Sequence, residues 1–186
     1  MNSNLVLWGW EKKKRTMLRY IKAGDVFCFQ YDENTFCFGR IMKIMENFAT
    51  IAEIFDYISD EPVITMEDID RGSRMFPPVN LDVHLLFDRK FEGEWRMIGR
   101  YEDFELVDVD DVFFTYGDFP AWKLDLYGNE TAITLKEAET LVNLLLMRDC
   151  HVKEMVHAYL HGEPNIELRI TGCAPIIGER ASVFES

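Results

Sequence analysis

Asp108, Asp110 and Asp111 place three carboxylates within four residues, a density that could hold a hard divalent cation or supply a general acid and base. The spacing argues against the metal. A calcium-binding EF-hand loop needs ligands at alternate positions, a glycine at the sixth and a glutamate at the twelfth, and that pattern is absent. On an extended chain Asp108 and Asp110 share one face while Asp111 takes the other. His157 and His161 stand four residues apart, so on a helix they meet on one face at a spacing that can chelate zinc. The zinc-protease signature places Glu directly after the first His, and here Ala158 follows. His151 precedes them by six residues and falls off that face. Basic side chains near a helix C-terminus are favoured by the helix dipole, which accounts for these histidines without a ligand. Neither a glycine-rich phosphate loop nor a Gly-x-Ser-x-Gly elbow occurs. A carboxylate-based, metal-dependent hydrolase is therefore the alternative reading. The expectation is no catalytic residue, no metal and no cofactor.

The three aspartates belong to a longer pattern. Between Arg100 and Lys123 the chain carries Glu102, Asp103, Glu105, Asp108, Asp110, Asp111 and Asp118 with no basic residue, interleaved with Tyr101, Phe104, Phe113, Phe114, Tyr116 and Phe119. A solvated charge run does not need so many rings, and a core does not need so many acids. The combination reads as a structured acidic surface with aromatic anchors, suited to covering a basic partner. Glu102, Asp103, Glu105, Asp108, Asp110, Asp111, Tyr116, Asp118 and Phe119 are its expected interface residues. A second stretch, residues 46–70, holds eight more carboxylates without a basic residue, and the two together carry 15 of the 33 acids. The formal net charge of −13 is thus concentrated in the chain.

That charge disfavours direct nucleic-acid binding, since phosphate affinity comes chiefly from Lys and Arg. The basic residues Lys12, Lys13, Lys14, Arg15, Arg19 and Lys22 form the one contrary cluster. They read as a solvated strand edge or as internal partners for the acid-only stretches. The 186 residues suit a single domain, and 48% hydrophobic content argues against intrinsic disorder. The apolar run at residues 5–10 precedes its basic residues, the reverse of a secretory signal, and no apolar stretch approaches the roughly 18 residues of a transmembrane helix. A cytoplasmic protein with no membrane contact is expected. Cys28, Cys37, Cys150 and Cys173 form no CxxC pair; a disulfide between Cys28 and Cys37 is allowed but not required.

The elements that must position these residues are strands first. Residues 24–31 and 35–41 read as a hairpin about the turn residues Asp32, Glu33 and Asn34. Further strands are predicted at 48–58, 81–87, 95–101 and 122–127, with residues 71–80 as a long surface loop. Thr134 and Glu137 have capping-box spacing, and Leu135, Ala138, Leu141, Val142 and Leu145 then fall on one helical face. Asp149 could cap a second helix that ends at Gly162. The predicted class is α+β: an antiparallel, strongly twisted sheet, in the limit a half-barrel, over the first two-thirds, packed by two C-terminal helices. In one domain, 1–15 form an N-terminal extension, 16–133 are mainly β, 134–162 hold the helices, and 163–186 are a tail or one more strand. Gly24 suits a turn with positive φ, and Gly39 a bulge or close backbone approach.

The hairpin is also distinctive as a motif. Tyr20-Ile21-Lys22-Ala23-Gly24-Asp25-Val26-Phe27 and the returning Phe38-Gly39-Arg40-Ile41 resemble the opening of the immunity protein 26 family, with Trp95, Gly99 and the acidic segment compatible with its middle. The resemblance runs from about Lys12 to Trp122 and leaves residues 1–11 and the stretch beyond Gly162 unmatched. It implies a non-enzymatic antidote from a bacterial polymorphic or contact-dependent toxin system, which binds one cognate toxin domain. A basic nuclease is the expected toxin. A subunit of a housekeeping complex, with the acidic face as a constitutive interface, is a third possibility from the same residues.

Overall fold

The computed structural model describes residues 4–46, 48–70, 73–107 and 109–162. Among these residues, eleven strands form two open sheets. In chain order they are β1 (Leu5–Leu7), β2 (Asp25–Gln30), β3 (Phe36–Met45), β4 (Ala49–Ser59), β5 (Val79–Leu81), β6 (Trp95–Tyr101), β7 (Phe113–Tyr116), β8 (Ala121–Asp125), β9 (Glu130–Ile133), β10 (Val142–Asn143) and β11 (Leu146–Met147). The larger sheet has the order β1-β6-β2-β3-β4-β5-β11 and the smaller β10-β7-β8-β9. All pairs are antiparallel except β5 with β11 and β7 with β10. Three α-helices accompany them: α1 (Met66–Asp70), α2 (Leu135–Ala138) and α3 (Asp149–His161). The class is α+β, and the strands divide between two open sheets where one curved sheet was expected. No described helix is long and apolar enough to cross a membrane.

The β2–β3 hairpin forms as the sequence implies, with Val26 opposite Arg40 and Gln30 opposite Phe36. Successive side chains of β2 enter different clusters. Phe27 and Phe29 join Trp95, Phe87 and Val152 on one face, while Val26 and Cys28 join Phe38, Phe55 and Ile98 on the other. Both faces are covered, so β2 reads as a nearly continuous apolar run. Trp95 stacks on Phe29 with centroids 4.1 Å apart. Cys28 and Cys37 are buried free thiols on opposite faces of the sheet, which leaves no disulfide between them. Gly39 marks a register shift against β4, and a Cβ there would meet the Glu53 carbonyl at 2.3 Å and the Phe27 ring at 2.5 Å.

Several local expectations are corrected. The strand predicted at 81–87 is β5 followed by one π-helical turn, His84–Asp88. Asp82 starts that turn by accepting the Leu85 N–H through its side chain and the Leu86 N–H through its carbonyl, and the turn buries the adjacent Leu86 and Phe87. The described part of the 71–80 loop is not all surface: Met75, Val79 and Asn80 are buried, and Arg74 bridges to Phe55. The first predicted C-terminal helix stops after α2, although its Thr134–Glu137 capping box is present. Beyond it Val142 and Leu144 serve the third apolar cluster while Leu145 and Met147 serve the first, so tertiary packing imposes period two where the sequence also permits 3.6. Asp149 is the first residue of α3 rather than its cap; Arg148 occupies that position, and Gly162 closes the helix at φ +62°. Within the basic stretch 12–22, Arg15 pairs with Asp88 at 2.9 Å and Lys14 with Glu11 at 3.5 Å, acids that lie outside both acid-only stretches. The predicted tail or strand over 163–186 lies outside the described residues.

Candidate protein-interaction surface

The acidic segment connects the two sheets. It leaves β6 at Tyr101 and becomes β7 at Phe113. Most of its apolar members point inward: Tyr101 packs in the second cluster with Phe104 against it, while Val109, Val112 and Phe114 fill the third against Met42 and Ile51 of β3 and β4; Val107 and Phe119 stay exposed. Glu102, Asp103, Glu105, Asp110, Asp111 and Asp118 are exposed, and among the described residues none of them makes an ion pair. Asp108 lies outside the described residues. Tyr101, Phe104 and Phe114 lie inside and the carboxylates outside, which accounts for much of the mixed composition of the segment.

The nine expected interface residues are not one cluster. Asp110 and Asp111 precede β7, whereas Tyr116, Asp118 and Phe119 follow or end it, so a strand of roughly 10 Å separates the two groups. At the first end Asp110 accepts a hydrogen bond from the Tyr127 hydroxyl at 3.2 Å, which raises the Tyr127 pKa. Beside it Asp125 accepts from the Tyr127 and Asn129 N–H groups and from the Asn129 amide; partial burial works to raise its pKa, and these bonds bring it below the usual carboxylate value. At the second end the Tyr116 hydroxyl donates to Glu130 at 2.6 Å, which pushes its pKa up to about 12. The Phe48 ring meets Tyr116 edge-on at 5.4 Å. Phe119 is 86% exposed at the turn between β7 and β8, where Gly117 takes φ +72°. Tyr127, Glu130 and Phe48 escape a sequence reading because their partners come from other strands and no local spacing marks them.

Buried charge lies under the segment. Glu53 accepts hydrogen bonds at one oxygen from Arg40 Nε at 2.7 Å and from Arg40 Nη2, and at the other from Arg74 Nε at 2.6 Å. One of the carboxylates counted toward an acidic surface is therefore interior. Asp25 is fully buried; it accepts from Arg100 Nε and from the Lys22 N–H at 2.9 Å, and the bond to Asp25 raises the Arg100 pKa. Arg100 also donates to the Tyr20 carbonyl at 2.8 Å. Gly24 has φ +88°, and a Cβ there would fall 2.6 Å from Phe104 Cβ and 2.8 Å from the Tyr101 carbonyl oxygen. Thus Gly24, Asp25, Gly39 and Arg40 of the hairpin motif have structural roles, and Gly24 and Arg40 seat the start of the acidic segment.

The remaining chemistry is quieter. His151 is buried, and its Nδ1 accepts the Arg148 N–H at 3.1 Å; burial, then the charge of Arg148, lowers its pKa. His157 shares a hydrogen bond with the Tyr31 hydroxyl at 3.0 Å, and His161 Nδ1 donates to the His157 carbonyl at 2.7 Å. Among the described residues no group of three or more His, Cys, Asp or Glu side chains is placed to hold a metal ion.

Comparison with known families returns one match. The family model described as Immunity protein 26 matches residues 22–119, just over half of the chain. No curated protein and no solved structure matches it. The matched span opens just before the Gly24–Asp25 turn and closes at Phe119, so it contains both the hairpin and the whole acidic segment it supports.

Proposed function

The chain belongs to the immunity protein 26 family, and from that premise we propose that it neutralises one cognate toxin domain, a basic nuclease, through the exposed acids and rings of residues 102–119. Family membership makes it an immunity protein that acts against a toxin, which supports an inhibitory rather than a catalytic role. The nuclease and the surface are our reading. One observation carries it: within the matched span, six exposed carboxylates have no ion-pair partner among the described residues, on a segment whose Tyr101, Phe104, Val109, Val112 and Phe114 pack inward. Carboxylates held this way can occupy positions that a nuclease prepares for substrate phosphates. Phe119 and Tyr116 would supply the desolvated contacts that usually dominate binding energy. Complementary charge also speeds encounter, with association rates reaching about 10⁸–10⁹ M⁻¹s⁻¹ at low salt, against about 10⁵–10⁶ for uncharged surfaces. The protein would act in the cytoplasm of the cell that makes the toxin, without touching nucleic acid or membrane.

The test uses the catalytically inactivated C-terminal domain of the toxin encoded immediately upstream of this chain's gene. A variant with Glu102→Gln, Asp103→Asn, Glu105→Gln, Asp110→Asn, Asp111→Asn and Asp118→Asn should associate at least about tenfold more slowly at low salt and lose most of its salt dependence. An unchanged association rate would remove the surface from the reading while leaving the family intact.

A further inference from the structure

We propose that Arg40 is a positioning residue for toxin binding: it holds residues 102–107 in their binding conformation without touching the toxin, an inference that rests on the surface reading above. The backbone of this stretch needs such a device. Glu102 N–H donates to the Asn4 carbonyl at 3.1 Å, and the chain turns at residues 102–103. Among the described residues, no strand or helix fixes 104–107. Their placement depends on inward side chains, of which Phe104 is the first.

Arg40 grips that ring from below. Its guanidinium lies 4.7 Å from the Phe104 centroid, 5.2 Å from Tyr101 and 5.7 Å from Phe55, while Glu53 holds its edge. Cations over ring faces attract the ring quadrupole, and Arg adds a planar face that Lys lacks. On the other side Gly24 allows Phe104 an approach that any Cβ would block. The two halves of the hairpin motif, one through Gly24 and one through Arg40, thus converge on a single ring of the acidic segment.

Charge balance supports the assignment. Arg74 already pairs with Glu53, so Arg40 is a second cation on one buried carboxylate. Arg100 pairs with Asp25 and also feels the charge of Glu102. Among the described residues Glu53 thus carries two cations, and the second, Arg40, lies against the ring that leads into Glu102, Asp103 and Glu105. A residue serving only to neutralise Glu53 would be redundant; one serving to draw down and stack an acidic, aromatic segment is not.

The experiment combines a dynamic and an energetic readout. Arg40→Lys keeps a cation for Glu53 but removes the planar face; Phe104→Leu removes the ring and serves if the first variant fails to fold. Backbone ¹⁵N order parameters of 103–107 in the free protein should fall from near 0.85 to below about 0.6, with β3 and β4 unchanged. Against the inactivated toxin domain, Arg40→Lys should speed dissociation about tenfold in the native background. In a chain already carrying Glu102→Gln, Asp103→Asn and Glu105→Gln, the same change should alter dissociation by less than about twofold, since the groups it positions are gone. Equal factors in both backgrounds, or unchanged order parameters, would overturn the proposal and leave the surface reading in place. If neutralising the three acids leaves binding untouched, both fail together.

Discussion

Replacing Glu53 by Gln is the perturbation whose cost the structure defines most closely. The Glu53 side chain is 4% exposed and accepts from two guanidinium groups, one on each oxygen, while Arg40 and Arg74 are 20% and 28% exposed. Glutamine offers one carbonyl oxygen. Whichever way its amide turns, the NH₂ faces a guanidinium N–H, so a buried donor meets a donor and the charge is lost as well. Breaking a fully buried ion pair costs about 3–5 kcal/mol, and the partial exposure of both arginines lets them regain some hydration. The expected loss is therefore about 2–3 kcal/mol. For a chain of this size each kcal/mol moves Tm by about 2–4 °C, which gives a fall of roughly 4–12 °C. Urea unfolding followed by tryptophan fluorescence, to which buried Trp95 contributes along with Trp8, Trp10 and Trp122, measures the free energy directly, and an unchanged m value would certify that the denatured state is the same. Arg15→Ala, which removes the exposed bridge to Asp88, is the control and should cost less than about 1 kcal/mol. A Glu53→Gln loss no larger than that control would refute the account of a load held by buried charge beneath the acidic segment.

Other outcomes follow from particular contacts. Gly39→Ala forces a Cβ against the Glu53 carbonyl and the Phe27 ring, and should destabilise the fold by about 1–3 kcal/mol or more in the same urea assay. Stability should fall as pH drops below about 6.5, because the unfolded chain protonates His151 at the ordinary histidine pKa while the buried, cap-accepting ring takes its proton only at lower pH; His151→Gln should flatten that slope. Asp88, Glu94 and Asp125 have lowered pKa values, so their contribution is present above the ordinary carboxylate range and is lost only at still lower pH. Burial pushes the Cys37 thiol up to about 12 and Cys28 higher still, so a thiol reagent at neutral pH should label both no faster than the chain opens, and immediate labelling would contradict their packing.

The hairpin was legible in the sequence because its signals agree: β-branched and aromatic residues at 24–31 and 35–41, turn chemistry between them, and a motif specific enough to point to the family. The split of the acidic segment into inward rings and outward carboxylates was legible in part, since alternation on an extended chain requires it. What escaped has a common cause. Leu86 and Phe87 look like strand residues until Asp82 turns the chain, and Val142 to Met147 satisfy two periods until two sheets claim alternate side chains. Arg40 with Glu53, and Asp25 with Arg100, join residues 13 and 75 positions apart, and nothing in local spacing announces such pairs. The same limit applies to the proposed interface residues. Composition singled out residues 101–119, but only the strand β7 reveals that Asp110 and Asp118 stand at opposite ends of it.

Amide hydrogen exchange of the chain, free and bound to the inactivated toxin domain, tests the central claim most directly. Residues 104–107 belong to no described strand or helix, so their amides should exchange rapidly in the free protein and any covering would register strongly. The account predicts new protection across 102–119, greatest at the two ends of β7, with little change in the basic stretch 12–22 or along α3. Protection confined to those latter regions, with 102–119 exchanging as fast in the complex as in the free chain, would contradict it.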